Sequence, residues 1–313
     1  MSILIIAEHK ETKLRSSTLC AITAAKQLSE QNIDLLIIGY KCDGAIKEAS
    51  QIIGLNKVLY TNHITYKGIV SENIARLVAR TGRNYDYIIA PSNSSSCDFM
   101  PRTSALLDTQ MISEVISIKN DNTFARPIYS GSALETIETQ EQVKIFTIRA
   151  SNFTPYDRID SNHEAYLVPI PPEKDLGLSK IISRTKEFTS RPDISNASIV
   201  VSGGRGLQTK ENFEALIIDL ADKLGAAIGG TKNAVDTGFI SKENQVGLTG
   251  HSISPDLYIA IGISGAIQHT ERIKDSKVIV AINNDPNAPI FNVSDYYLVT
   301  DLFEAVPKLI EIM

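Results

Sequence analysis

Leu257 to Asp285 reads LYIAIGISGAIQHTERIKDSKVIVAINND, and this stretch decides the fold. Its first run, Leu257 to Ile261, is apolar and ends at Gly262-Ile263-Ser264-Gly265, which predicts a buried strand closed by a tight turn. A short helical stretch carries Gln268 and His269, and a second apolar run, Val278 to Ile282, ends in Asn283-Asn284-Asp285. Strand, glycine turn, helix, strand and polar tip together form the repeating unit of a parallel sheet. Such sheets bind ligands in a crevice outside the carboxyl ends of their strands. The stretch therefore predicts an α/β fold with a nucleotide-sized crevice at one sheet edge.

Working outward, the pattern repeats on both sides. Ser198 to Val201 predicts a strand and Gly203-Gly204-Arg205-Gly206 a turn. A helix follows with an apolar stripe of Phe213, Leu216, Ile217, Leu220 and Leu224. Ala226 to Ile228 and Tyr296 to Val299 add strands, and Leu302 to Ile312 a closing helix. In the first half, Ile3 to Ala7, Asp34 to Gly39, Lys57 to Tyr60 and Tyr85 to Ala90 are short runs rich in Ile, Leu and Val. They alternate with amphipathic stripes (Leu14, Thr18, Ala21, Ala25, Leu28; then Ile69, Ile74, Leu77, Val78), the signature of βαβ units. After Ser113 only β-like runs remain, Val115 to Lys119, Thr123 to Tyr129, Ala133 to Glu138 and Val143 to Arg149, which predict a meander or antiparallel edge. Periodicity then fades under Pro155, Pro169, Pro171, Pro172 and Pro192, so residues 153–196 read as an interdomain connection. The expected fold class is α/β in two domains, 1–152 and 197–313, each a mainly parallel sheet flanked by helices.

A chain of 313 residues is long for a single core and suits two. Its 43% hydrophobic and 21% charged content is that of a globular protein. A net charge of -5 with no basic block argues against a nucleic-acid partner. Apolar runs fall far short of the roughly 20 residues that span a bilayer. Cys20, Cys42 and Cys97 are far apart, with no CxxC, which argues for a reducing compartment and against a structural metal. The start, MSILIIAEHK, enters a strand-like run without a basic n-region, so no signal or transit peptide is expected. That favours a bacterial cytoplasmic protein over a processed mitochondrial-matrix one.

Three constellations carry candidate chemistry. The Gly203 to Gly206 turn, with Arg205 in it, reads either as a phosphate cradle at a helix N-terminus or as a tight turn. GxGxxG is not met, because Thr209 occupies the third glycine position. Gln245-Val246-Gly247-Leu248-Thr249-Gly250, preceded by Gly229 to Gly238 with Thr231 and Lys232, offers donors suited to the edge of a planar polar ring, or else ordinary surface loops. Third, Gly262 and Gly265 allow close packing over a ligand, Ser264 offers a hydroxyl, and His269 stands where a cation or donor would stabilise negative charge on a bound ring. Asn283 and Asp285 lie at the same edge, and Asp301 opens the last helix as a ligand residue or an N-cap.

In this order and near these spacings, the constellations resemble the C-terminal domain of the electron-transfer flavoprotein alpha subunit. Supporting segments are MSILIIAEHK, Pro101-Arg102 and Arg126-Pro127-Ile128-Tyr129-Ser130-Gly131-Ser132-Ala133. The resemblance implies a Rossmann-like C-terminal domain that binds FAD non-covalently. It also implies a nucleotide-hydrolase-like N-terminal domain that pairs with a beta subunit, itself expected to hold AMP. Arg205 would lie by the flavin and diphosphate, and Thr249 would donate toward the ring's N5. Gly262, Ile263, Ser264, Gly265, Ala266 and Gln268 would wrap the cofactor. His269 would lie by O2 and favour an anionic, one-electron-reduced flavin. Asn283, Asp301 and Leu302 would hold the ribityl or adenosine portion, with Thr231, Lys232, Gln245, Val246, Gly247 and Leu248 completing the site.

The implied role is an electron carrier without a substrate of its own. It would accept electrons from flavin dehydrogenases, such as the acyl-CoA dehydrogenases of fatty-acid β-oxidation, and pass them to a membrane quinone oxidoreductase. The alternatives are an NAD(P)-binding dehydrogenase and a non-enzymatic nucleotide-binding sensor. Five positions depart from the family's usual pattern: Thr231-Lys232 for Ser-Arg, Leu248 for Gln, Arg272 for a small residue and Ser96 for Gly. Lysine lacks the planar two-bond fork of arginine, which implies a less positive field at N5.

Overall fold

The computed structural model describes all residues except 11, 30, 31, 69, 184–190 and 196. Ile69, placed above on a helical stripe, lies outside the described residues. The chain forms two compact units, Met1–Thr185 and Lys186–Met313.

In the first unit, strands β1 (Ile3–Ile6), β2 (Ile33–Gly39), β3 (Lys57–Asn62), β4 (Tyr87–Pro91), β5 (Met111–Val115), β9 (Lys144–Ile148) and β10 (Tyr166–Pro169) form one sheet. Their order is β10-β3-β2-β1-β4-β9-β5 and every pairing is parallel. Strands β1, β2 and β4 are buried along their whole length. Side chains alternate between faces, so Ile3 and Ile5 join one core cluster while Leu4 and Ile6 join the other. Helices α1 (Ser16–Leu28), α2 (Asp43–Ser50), α3 (Ser71–Gly82) and α4 (Ser94–Leu106) lie between the strands in sequence. A separate antiparallel sheet joins β6 (Ser117–Asn120), β7 (Thr123–Ile128) and β8 (Ala133–Glu138).

Two expectations are corrected. The run Val143 to Arg149 is not part of an antiparallel edge, because β9 inserts in parallel between β4 and β5. Its residues 145 to 148 are all buried, as a strand covered on both faces requires. In contrast β8 alternates half-buried with exposed, which is the mark of a one-sided antiparallel strand. The 153–196 segment is likewise not wholly a connection. β10 extends the first sheet beside Lys57–Tyr60, and Arg80 with Glu173 and Asn73 with Asp175 fasten the following residues to α3. An exposed edge strand ending in proline tolerates the missing N–H, and such a strand carries little periodic signal.

The second unit is a single five-stranded parallel sheet: β11 (Ile199–Gly203), β12 (Ala227–Gly230), β13 (Leu257–Ile261), β14 (Val278–Asn283) and β15 (Tyr296–Val299). Its order is β12-β11-β13-β14-β15, so the winding reverses between β11 and β13. Such a reversal opens a crevice at the carboxyl ends of those two strands. One face is covered by a helix made of Lys210–Phe213, a π-turn Glu214–Ile218 and Asp219–Leu224, together with α6 (Leu302–Ile312). On the other face Tyr258 packs with Ile273 and Ile290. The expected fold class, two mainly parallel sheets flanked by helices, is the one observed.

Candidate functional site: a cleft at the sheet's switch point

A cleft of about 750 Å³ opens at the carboxyl ends of β11 and β13. Every residue that the resemblance assigns to the cofactor lines it, from Arg205 through Thr231, Lys232, Gln245 to Thr249, Gly262 to Ala266, Gln268 and His269 to Asn283, Asp301 and Leu302, whereas Asp285 does not. What each side chain does there differs in several cases from the expectation.

The glycines bring two turns together instead of exposing backbone to a ligand. Gly204 N–H donates to Ile261 O at 2.9 Å and Gly206 N–H to Gly262 O at 3.1 Å. A Cβ on Gly204 would stand 2.2 Å from Gly262 O, and one on Gly265 2.2 Å from Ile290 N. The phosphate-cradle reading of the first turn also fails in its simple form. A 3-10 turn, Arg205–Leu207, separates the glycines from the helix, whose start is capped by Thr209 Oγ1 accepting from Asn212 N–H. Gln208 between them has φ +67°, and its neighbours close a three-residue turn through Thr209 N–H to Leu207 O at 2.7 Å. Arg205 is left exposed, with no ion pair or side-chain hydrogen bond among the described residues, and it borders the cleft as an uncommitted cation.

Thr231 caps α5 (Lys232–Asp236) by accepting from Ala234 N–H, and Lys232 turns along the same helix to pair with Asp236. Gln245 is buried, and its amide donates to Thr249 Oγ1 at 2.8 Å. That leaves the Thr249 O–H proton available to an acceptor in the cleft. Val246 N–H donates to Gly230 O, while the flanking Leu248 is about half exposed.

His269 is corrected most. It is buried, with Nδ1 3.1 Å from Val246 O and Nε2 2.8 Å from the Tyr258 hydroxyl. A carbonyl only accepts, so the partners assign the proton to Nδ1. Burial lowers its pKa to about 4, with the Val246 carbonyl acting weakly the other way. At neutral pH the ring is therefore uncharged and both nitrogens are engaged by the protein. The expected cation or free donor is absent because Tyr258, eleven residues earlier on β13, occupies the second nitrogen. A stability effect follows. The unfolded chain takes up a proton near pH 6.5 that the folded one refuses until about pH 4. Stability from this group is therefore intact above pH 6.5 and falls as pH drops, by roughly 3 kcal/mol at pH 4. His269→Gln should flatten this part of the slope in urea titrations compared at pH 4.5 and 7; equal slopes in both proteins would refute it.

Asn283 is also committed internally: Nδ2 donates to Ile263 O at 2.8 Å, and Oδ1 accepts from Asp285 N–H. Asp301 caps α6 by accepting from Phe303 N–H, as the N-cap alternative anticipated. Ser264 and Gln268 are exposed in the cleft, and among the described residues no hydrogen bond engages their side chains. Lining residues the sequence reading did not single out are Gln208, Asn233 and Phe303, while Gly204, Gly206 and Asn284 stood in its turn and polar tip without an assigned role. The two glycines were visible in the motif; Gln208 carried no signal beyond its place after it. Among the described residues no group of three or more His, Cys, Asp or Glu is placed to hold a metal, and no helix is long and apolar enough to cross a membrane.

The family model described as the electron transfer flavoprotein FAD-binding domain matches residues 193–274, and that of the electron transfer flavoprotein domain matches residues 3–174. The chain is 44% identical to the electron transfer flavoprotein subunit alpha of Pseudomonas aeruginosa, covering 99% of both chains. It is 42% identical to that of Paracoccus denitrificans, again over 99% of each, and 41% identical to the mitochondrial one of Dictyostelium discoideum, over 98% of this chain and 90% of the other. The cofactor of the matched domain is FAD, and the chain belongs to the electron-transfer flavoprotein alpha-subunit family.

Proposed function

We propose that this chain holds FAD in the switch-point cleft and serves as the redox subunit of a two-subunit electron carrier. The observation that carries the reading is the cleft lining itself. Arg205, a cation without a partner among the described residues, and the side-chain hydrogen-bonding groups Thr249 O–H, Ser264 and Gln268 surround a space of dinucleotide size. An anionic diphosphate and a ring with carbonyl edges need that complement of groups. FAD supplies the electron chemistry, and the protein supplies position and electrostatics. Arg205 attracts negative charge, Thr249 donates a hydrogen bond, and the glycine-packed turns fix the walls. A beta subunit completes the site and holds AMP. Flavin dehydrogenases donate electrons and a membrane quinone oxidoreductase accepts them.

Co-expressed with the beta subunit, the protein should purify yellow and release about one FAD per heterodimer on denaturation. A colourless preparation that binds NAD(H) would establish the dehydrogenase reading instead. The pairing of Lys232 with Asp236 on its own helix further weakens its field in the cleft. Lys232→Arg should raise the potential of the first electron in a redox titration, and an unchanged value would sink the idea.

A further inference from the structure

The proposed flavin site has a buried polar contact that the carrier role does not by itself require. Tyr258 is wholly buried as the second residue of β13, where a phenylalanine would fill the same volume. Its ring is tilted 52° to the His269 imidazole, and its hydroxyl lies 2.8 Å from Nε2. Ser202 on β11 is also wholly buried, and its Oγ makes no hydrogen bond among the described residues, so His269 Nε2 is the partner that the Tyr258 hydroxyl takes. A buried hydroxyl without a partner is costly, so its place opposite Nε2 is specific. On the far side of the imidazole, Nδ1–H reaches the Val246 carbonyl. The chain of contacts therefore runs from the sheet, through His269, to the loop that carries Gln245 and Thr249.

We propose that Tyr258 is a positioning residue of the flavin site: its hydroxyl holds His269 in the neutral Nδ1–H tautomer, and through it fixes the Val246 carbonyl and the Gln245 to Thr249 loop. The proposal rests on the FAD reading for its functional meaning and on Tyr258, His269 and Val246 for its geometry. A donor on Nε2 blocks protonation there, and an acceptor on Nδ1 keeps the proton on that atom. Among the described residues no charged side chain shifts His269; burial and the Val246 carbonyl set its value, and Tyr258 is the titratable group bonded to it. The cleft wall next to Thr249 is thereby uncharged across the neutral range. Any charge developed on a bound ring then meets Arg205 and hydrogen-bond donors, not an imidazolium.

The test uses the full chain purified with its partner subunit, with ¹⁵N-labelled histidine, as wild type, Tyr258→Phe and His269→Gln. His269→Gln identifies the His269 signals. In the wild type these should show a protonated Nδ1 and an unprotonated, hydrogen-bonded Nε2, unchanged from pH 5.5 to 8. In Tyr258→Phe the Val246 carbonyl still holds the proton on Nδ1, but the Nε2 signal should lose its hydrogen-bond shift and titration should enter that window. The first-electron potential of the variant should then rise above that of the wild type by a margin that widens as pH falls. Wild-type signals with the proton on Nε2, or titrating near pH 6.5, would overturn the proposal even without a folded variant. So would a Tyr258→Phe protein that melts earlier but keeps the wild-type signals and pH profile. A colourless protein would fail the FAD reading alone, because the histidine signals report the Tyr258 contact with or without cofactor.

Discussion

Replacing Gly265 by alanine is expected to destabilise the C-terminal unit by about 2–5 kcal/mol and to abolish tight cofactor binding. Two costs combine. Gly265 has φ +85°, a conformation in which an L side chain is strained by about 1–2 kcal/mol. The new Cβ would also lie 2.2 Å from Ile290 N and 2.5 Å from Ile290 Cα, both backbone atoms that no rotamer change can move aside. Ile290 is wholly buried, and its N–H donates to Ser264 O at 3.0 Å, so relief of the clash displaces the cleft turn itself. Gly225→Ala separates the two costs. Gly225 has φ +61° at a helix end, but nothing lies within 4 Å of its would-be Cβ, so only the strain of roughly 1–2 kcal/mol applies. Urea midpoints followed by flavin fluorescence should show the larger loss for Gly265→Ala. Equal losses would mean that the contact with Ile290 does not hold the turn.

How much of this was legible in the sequence depended on whether a signal was local. Apolar runs such as Leu257 to Ile261 and Val278 to Ile282 announce buried strands, because parallel pairing covers both faces, and the glycines mark where those strands stop. These place the crevice at the strand ends, whereas its lining was named through the resemblance, which left out Gln208, Asn233 and Phe303. The charge of His269 was not legible, because it depends on burial and on a hydroxyl contributed by another element. A histidine after a glycine turn reads the same whether its nitrogens are free or occupied. The role of Gly204 stayed open between cradle and tight turn for a similar reason: a turn packed on Gly262 and a turn packed on a phosphate need the same missing side chain. In the first unit, the strand order around Lys144–Ile148 was hidden because β-like runs in series suggest hairpins. The buried Ile145, Phe146 and Ile148 were the clue to a central strand.

Phe213→Ala should cost about 3–5 kcal/mol, from lost transfer energy and an unfilled cavity. The ring is 1% exposed, lies 6.4 Å from Phe239 between centroids, and covers Gly203, where an added Cβ would come 2.5 Å from Phe213 Cε2. Phe213 thus anchors the first helical turn to the end of β11, and its N–H closes that turn on Thr209 O at 3.1 Å. Arg205 and Gln208 lie between these two anchors and border the cleft, so loosening the anchor lowers cofactor affinity as well as stability. The two units have separate core clusters, and a two-unit chain should not be treated as one transition. Flavin release then reports the second unit, while far-UV dichroism follows both. The flavin-reported midpoint should fall sharply in Phe213→Ala and by less than about 1.5 kcal/mol in Phe213→Leu, which keeps most of the volume. The dichroism change belonging to the first unit should stay where it is. If it moves by the same amount, the units unfold together and the loss cannot be confined to the cleft wall.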